Sequence, residues 1–209
     1  MIKKRGFKLA IYYFLNVHLY DLVNSTDTER WLPKNKFPSR YKNKGGVLYM
    51  PAWTSVINLS FNFCKNYLGQ DFKNYQFVDI GCGKGKVLMV WEKNCKKKKI
   101  KMKISGIDYY KPLVLIANKN LKKFSKIKIV TQDVISYNFN NKKTIFFLYN
   151  PFNLNVFKKI VSKLKSQKYI IIYNNPVHLN FLKKNNFKEI LSVKKFHRSG
   201  TLSILSYQN

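Results

Sequence analysis

The sequence predicts an α/β fold built on a mostly parallel sheet, and three observations carry that reading. Short apolar runs that suit strands alternate with stretches of helical spacing between Gln76 and Tyr173. A turn holding Gly81, Gly83 and Gly85 joins the first of these strands to the helix behind it. Asp79, Asp108 and Asp133 stand at or near the ends of successive predicted strands, although the chain has only nine acidic residues.

Composition bounds the fold before any motif does. With 209 residues, 45% of them hydrophobic, the chain suits one domain with a full core and a small N-terminal extension. No apolar run reaches the length of a bilayer span. Cys64, Cys82 and Cys95 are odd in number and form no Cys-x-x-Cys pair. They point to a reducing compartment, the cytoplasm, with no disulfide frame and no metal site. The net charge is +31, carried almost wholly by lysine, with Arg5, Arg30, Arg40 and Arg198 the exceptions. Such a surface attracts polyanions or anionic membranes non-specifically, but it has few of the guanidinium forks that read bases.

The first 46 residues read as an extension or lid, and residues 47–209 as the main domain. Lys3, Lys4 and Arg5 precede the apolar run Leu9 to Leu15, but no small-residue cleavage site comes after it. An amphipathic helix through Leu22 is expected, packed on the domain or lying at a membrane surface. Asn24 to Gly46 is polar and broken by Pro33, Pro38, Gly45 and Gly46, as a lid or wrapping linker would be. Ala52 to Leu68 reads as a helix with Val56, Leu59, Phe63 and Tyr67 on one face.

The stretch Gln76 to Val87 organises the rest of the chain. Phe77, Val78 and Ile80 make a strand, and the three glycines then strip Cβ atoms from the turn so that a ligand can approach its backbone. The helix behind it offers free N–H groups to the same place. Two nucleotide motifs fail on spacing. A dinucleotide fingerprint needs its third glycine at position 86, which is Lys, and a phosphate loop needs Ser or Thr where Val87 stands.

The helix after the turn runs to about Lys93, and Lys96 to Lys99 is a solvated loop. Lys103 to Ile107 is the second strand, closing on Asp108 and Tyr109 where a carboxylate can accept ribose hydroxyls. A helix from Pro112 to Phe124 puts Leu113, Ile116, Ala117 and Leu121 on the sheet. Ile127 to Val130 is the third strand, and Thr144 to Tyr149 the fourth, apolar enough to be buried on both faces. It ends in Asn150-Pro151-Phe152. Val156 to Leu164 is helical, Tyr169 to Tyr173 is the fifth strand, and Val177 to Asn186 is a helix. Glu189 to Phe196 and Thr201 to Tyr207 close the chain as a hairpin around His197 to Gly200. His18, His178 and His197 read as structural.

Asp-x-Gly-x-Gly-x-Gly after a strand resembles the first motif of the class I S-adenosylmethionine (SAM)-dependent methyltransferases. The resemblance covers about Val47 to Tyr207. It implies a Rossmann-like seven-stranded, mostly parallel sheet with an antiparallel last strand and helices on both faces. It also implies SAM as cofactor. Gly81, Gly83 and Gly85 would admit its methionine part, Asp79 would hold its ammonium end, and Asp108, with Tyr109 beside it, would take the ribose. Asp133 would contact the adenine amino group, with Val134 beside the ring. Methyltransferases that act on base amines carry Asn/Asp-Pro-Pro and an aromatic; here one proline is missing, and the Phe152 ring is displaced by a residue. Tyr49, Asn150 and Phe152 are then the candidates for positioning a methyl acceptor, Asn150 also touching the cofactor.

More narrowly, four features look like a poorly characterised bacterial group of this class: Phe-Val-Asp-Ile-Gly-Cys-Gly-Lys-Gly, Phe-Leu-Tyr-Asn-Pro-Phe, the Asn-Pro-Val-His at Asn175, and an upstream Asp-Thr and Tyr-x-Pro. Members often sit beside polysaccharide-synthesis enzymes, and some look distantly like histone-lysine methyltransferases. The expected activity is methyl transfer to an O or N acceptor. Alternatives are a non-catalytic module that holds RNA or an anionic membrane through its lysines, and methylation of protein lysines.

Overall fold

The computed structural model describes residues 6–29, 45–46, 49–124, 126–140 and 142–208. Seven strands form one sheet: β1 (Gln76–Ile80), β2 (Ile104–Asp108), β3 (Lys128–Thr131), β4 (Thr144–Tyr149), β5 (Tyr169–Asn174), β6 (Phe187–Val193) and β7 (Leu202–Tyr207). Their order is β3-β2-β1-β4-β5-β7-β6, and β7 alone runs antiparallel, between β5 and β6. The helices are α1 (Phe7–Tyr13), α2 (Leu19–Asn24), α3 (Thr54–Leu68), α4 (Lys86–Lys97), α5 (Lys111–Asn120), α6 (Leu154–Val161) and α7 (Leu179–Lys183). This is the Rossmann-like sheet the sequence predicts, with β7 the antiparallel last strand.

The pleat sorts the apolar runs onto two faces. Phe77, Ile145 and Ile170 stand in register on one face; Val78, Phe146 and Ile171 stand in the next row on the other. The first row is covered by α3 and α4, with the Trp91 ring stacked 3.9 Å from Phe77 and edge-to-face with Phe61 at 5.1 Å. The second row is covered by α6 through Phe157 and Ile160. Helices on both faces leave the carboxyl ends of β1, β2 and β4 as the open edge. Strand order reverses there between β1 and β4, which is where ligands of open α/β sheets bind.

Four details depart from expectation. α3 turns Val56, Ile57, Ser60, Phe61 and Cys64 inward, while Leu59 and Tyr67 are 37% and 52% exposed. The helical period holds and the phase does not: the helix is apolar enough to offer two faces, and the contact of Phe61 with Phe72 and Trp91 selects one. α4 continues to Lys97, so Lys96 and Lys97 lie in its last turn. Cations there complement the free carbonyl end of the helix dipole. α7 is shorter than its apolar pattern suggests. Asn175 and Asn186, both left-handed, bracket the stretch, and Val177 is exposed. α5 likewise ends at Asn120, four residues early, and continues only as turns.

Asn16 is one of the residues that join the N-terminal extension to the domain. α1 passes into α2 through a five-residue π-helical turn, Phe14–His18, and Asn16 sits inside it. Trp53, at the N-cap of α3, makes no side-chain cap of its own. Asn16 Oδ1 accepts the Ser55 N–H instead, at 2.9 Å, so the extension caps α3 from outside. Asn16 O also accepts the Thr54 hydroxyl (2.9 Å) and the Lys86 ammonium, whose Nζ lies 4.9 Å from the centroid of Tyr20. Lys86 is buried in the first turn of α4, which holds no acid to oppose the dipole. Burial pulls its pKa down to about 7, with Asp21 and Glu29 acting the other way. Asn16→Ala is expected to cost about 1–2 kcal/mol, the worth of a lost cap. It should show as a lower urea midpoint at unchanged m value.

Candidate cofactor site

Gly81 (φ 76°), Gly83 (φ 52°) and Gly85 (φ 81°) are all left-handed, so the turn after β1 coils tightly onto the end of β2. The N–H groups of Gly81 and Cys82 both donate to Ile107 O, at 2.8 and 3.0 Å. Gly83 N–H donates to Asp108 Oδ2 at 2.8 Å, and Gly85 N–H to Cys82 O at 2.9 Å. These four donors are committed within the protein, so the turn offers none of them to a phosphate. The site instead holds two buried carboxyl groups, Asp79 and Asp108.

Asp79 is 2% exposed, and its Oδ2 has no hydrogen-bond partner among the described residues. Burial first, and then the Asp108 charge, push its pKa well above the usual carboxylate range. Asp108 is buried too, but each of its oxygens accepts a backbone N–H, from Gly83 and from Tyr110 at 2.8 Å. Burial still raises it to about 6, against the lowering pull of those N–H groups. A carboxylate oxygen keeps a second lone pair, so Asp108 can also accept from a ligand in the crevice it lines.

That crevice gathers Gly81, Asp108, Tyr109, Val134, Asn150 and Phe152, with Tyr49 at one side. Ile107 and Leu113 give it an apolar wall. Four predicted residues lie off its surface. Asp79 is buried behind the turn. Gly83 lies under the Tyr49 ring, whose Cε2 is 2.3 Å from where a Cβ would be. Gly85 packs against Ala117 and Leu121. Asp133 turns its Oδ1 to the Ile135 N–H at 2.9 Å, capping the short 3-10 turn Val134–Ser136.

The extension closes over the same turn. Tyr49 OH donates to Thr28 O at 2.6 Å, and buried Lys84 reaches Asp27 at 2.9 Å. Asn120 at the end of α5 ties the extension to the glycine turn, accepting from Asp27 N–H and donating to Lys84 O. On the far side a Cβ on Gly46 would stand 2.1 Å from the Tyr109 hydroxyl, and Gly46 pairs with Phe152 as an isolated bridge. Lys84 and Lys86 are not among the residues expected from the sequence. Their signal is nonetheless there: two cations at a turn opening an otherwise apolar helix need buried partners.

At the other end of the crevice Asn150 is left-handed (φ 37°) although a proline comes next, a conformation disfavoured for that position. Asn175, at the tip of the neighbouring strand, repeats it (φ 51°) before Pro176. Tyr173 OH donates to Asn150 Oδ1 at 3.3 Å and accepts from His178 N–H at 3.4 Å, which orients the amide. Tyr149 OH bonds to the Ser199 hydroxyl at 2.7 Å; burial pushes this phenol up to about 12, with Arg198 among the groups pulling the other way. The three histidines are all in packed contacts: His18 with Glu29, His178 on Phe157, and His197 stacked on Trp53. Among the described residues no cluster of His, Cys, Asp and Glu could hold a metal ion.

No protein-family model and no curated protein matches this sequence. Solved structures do match its fold. An SAH-bound methyltransferase of Podospora anserina aligns with a TM-score of 0.52 at 13% identity, over 93% of this chain and 97% of that one. A putative class I SAM-dependent methyltransferase of Listeria monocytogenes gives 0.57 at 15% identity, over 74% and 60%. A pericyclic-reaction enzyme gives 0.53 at 13%, over 69% and 47%. The fold is therefore the class I methyltransferase fold. No histone-lysine activity is named for any of these three. The third neighbour also shows that this fold houses other chemistry, so the reaction has to be argued from the site.

Proposed function

We propose that the chain is a SAM-dependent methyltransferase acting on an O or N acceptor. The observation that carries this reading is the Asp79 carboxyl, buried behind the glycine turn with an oxygen that no described residue satisfies. An isolated buried carboxylate is costly unless a cation meets it, and the ammonium of a methionine moiety that reached past Gly81 to Asp79 would be such a cation. The rest of the crevice fits the same molecule. Asp108 has lone pairs for ribose hydroxyls, Gly81 lines the crevice beside Pro151, whose ring lies 2.7 Å from where a Cβ would be, and Val134, Ile107 and Leu113 offer an apolar bed for a purine. Gly83 and Gly85 act indirectly, by permitting the coil that places Gly81 and Asp108.

When bound, the cofactor supplies a methyl already activated on a sulfonium. What remains for the protein is alignment, which can account for about 7–11 kcal/mol of such a barrier. Asn150, its amide held by Tyr173, and Phe152 form the acceptor end, and Tyr49 roofs the turn. Tyr109 against Gly46 closes the opposite side. The described residues Asp27, Thr28 and Gly46 of the extension thus hold the turn and its crevice as a lid would. SAH-bound and SAM-dependent neighbours of the same fold support the cofactor. Nothing favours protein lysine over another acceptor.

Calorimetric titration of SAM and SAH against the wild type and Asp79→Ala tests the reading. Heat and a thermal shift are expected for the wild type and neither for the variant. A wild type that gives no heat and no shift, yet binds a labelled oligonucleotide with a steep salt slope, is the non-catalytic module instead. Transfer of a tritiated methyl onto fractions of polysaccharide, RNA, protein and small molecules then identifies the acceptor.

A further inference from the structure

The helix formed by α1, the π turn and α2 is apolar all round. Between Phe7 and Val23 only Lys8, Asn16, His18 and Asp21 are strongly polar. One side packs on the domain through Leu9, Val17 and Tyr20. The opposite side carries Phe7, Ile11, Phe14, Leu15, Leu19 and Leu22, all exposed, with Phe7 at 68% and Leu22 at 71%. Single exposed apolar residues need no explanation, but six in one row along one helix do.

The border of this row is cationic. Lys8 Nζ lies 5.0 Å from the ring of Phe196, itself 51% exposed and 5.1 Å from Tyr12. Lys194 and Lys195 immediately precede Phe196 and are exposed. Lys93 stands at the other end, over Tyr20. Two acids, Asp21 and Glu29, lie beside Phe14 and Leu22 on this side: Asp21 accepts from Thr26, Thr28 and the Glu29 N–H, and Glu29 pairs with His18. Lys3, Lys4 and Arg5 lead into the helix in sequence.

We infer that this face docks the protein on a bilayer containing anionic lipid, the helix lying flat in the interface. An apolar strip flanked by lysines, on a chain of net charge +31, matches the two components of such a surface: acyl chains beneath and negative headgroups above. A second copy of the chain would bring two such charges together across the contact. RNA would leave the aliphatic side chains wet. The helix lies on the surface and does not cross, since no helix of the described residues is long and apolar enough to span. The inference stands whether or not the crevice binds SAM.

Flotation of the full chain with vesicles tests it, using phosphatidylcholine alone and an equimolar mixture with phosphatidylglycerol. Binding to the mixture is expected to be at least about tenfold tighter than to the neutral vesicles, and weakened by salt. Phe7→Glu/Leu15→Glu/Leu22→Glu should lose about a hundredfold or more while keeping the wild-type melting temperature. Should the triple variant not fold, Leu22→Glu alone must still weaken flotation. Three results overturn the proposal: no flotation with the mixture, equal flotation of the variants, or a dimer that the substitutions dissociate in the absence of any vesicle binding.

Discussion

Asp79→Asn should raise the melting temperature of the ligand-free protein and, in the same variant, abolish stabilisation by SAM. Both halves come from one buried carboxyl. With its pKa held well above the usual range by burial and by Asp108, Asp79 destabilises the fold wherever it would ionise in the unfolded chain. The sign is that of a raised acid: stability is full below the ordinary value of 3.8 and is lost as pH rises towards the folded pKa. Asp108, raised to about 6, contributes its share of the same loss between those two values. Replacing Asp79 by its neutral isostere removes its term, a gain of about 1–3 kcal/mol. For a chain of this size that is about 3–10 °C. The cofactor ammonium requires the charge that was removed, so affinity should fall by about 3–5 kcal/mol, a factor of about a hundred to a few thousand. In the wild type SAM affinity should rise with pH, with proton release visible as a buffer-dependent heat of binding. A less stable variant that SAM still protects would make Asp79 a structural residue and end the methyltransferase reading.

How much of the fold and site is legible in the sequence can be argued from particular residues. β4 and the glycine turn are plain because local chemistry alone determines them: an unbroken apolar run, and three residues free to take positive φ. The order of the strands comes from alternation and the closing hairpin. The phase of α3 is not legible, since Val56-Leu59-Phe63-Tyr67 and Val56-Ser60-Phe61-Cys64 are both helical stripes. Only the partner, Trp91 on the next helix, decides between them. The cap that Asn16 places on α3 spans 39 residues, and the Lys84–Asp27 pair spans 57. Contacts of that separation leave no periodic trace. Asp133 is a milder case: its place after β3 is visible in the sequence, and its bond to Ile135 N–H is what an Asx residue there commonly makes. Expectations that fall on residues 30–44 lie outside the described residues.

The second large effect is expected at Gly83, and the comparison with Gly85 is what gives it meaning. Both residues are left-handed, so alanine at either position should lose about 1–2 kcal/mol from backbone strain alone. They differ in what a methyl group would meet. At Gly85 the nearest atoms, from Ala117 and Leu121, are 3.4 Å away, a contact that small shifts relieve. At Gly83 two carbons of the Tyr49 ring are 2.3 and 2.4 Å away. The ring cannot simply rotate aside, because its hydroxyl is bonded to Thr28 O and Lys84 lies over its face at 5.8 Å. Gly83→Ala must therefore lift Tyr49 from the turn, and the total cost should be about 3–5 kcal/mol. Urea unfolding of Gly83→Ala, Gly85→Ala, Tyr49→Ala and the Gly83→Ala/Tyr49→Ala pair measures the difference. The double mutant should be less destabilised than the sum of its singles, because truncating the ring removes the collision and leaves only the strain. Additive losses, or equal losses at the two glycines, would mean that Tyr49 does not rest on the turn, and the lid proposed for this protein would lose the link to the glycines that runs from Thr28 through Tyr49.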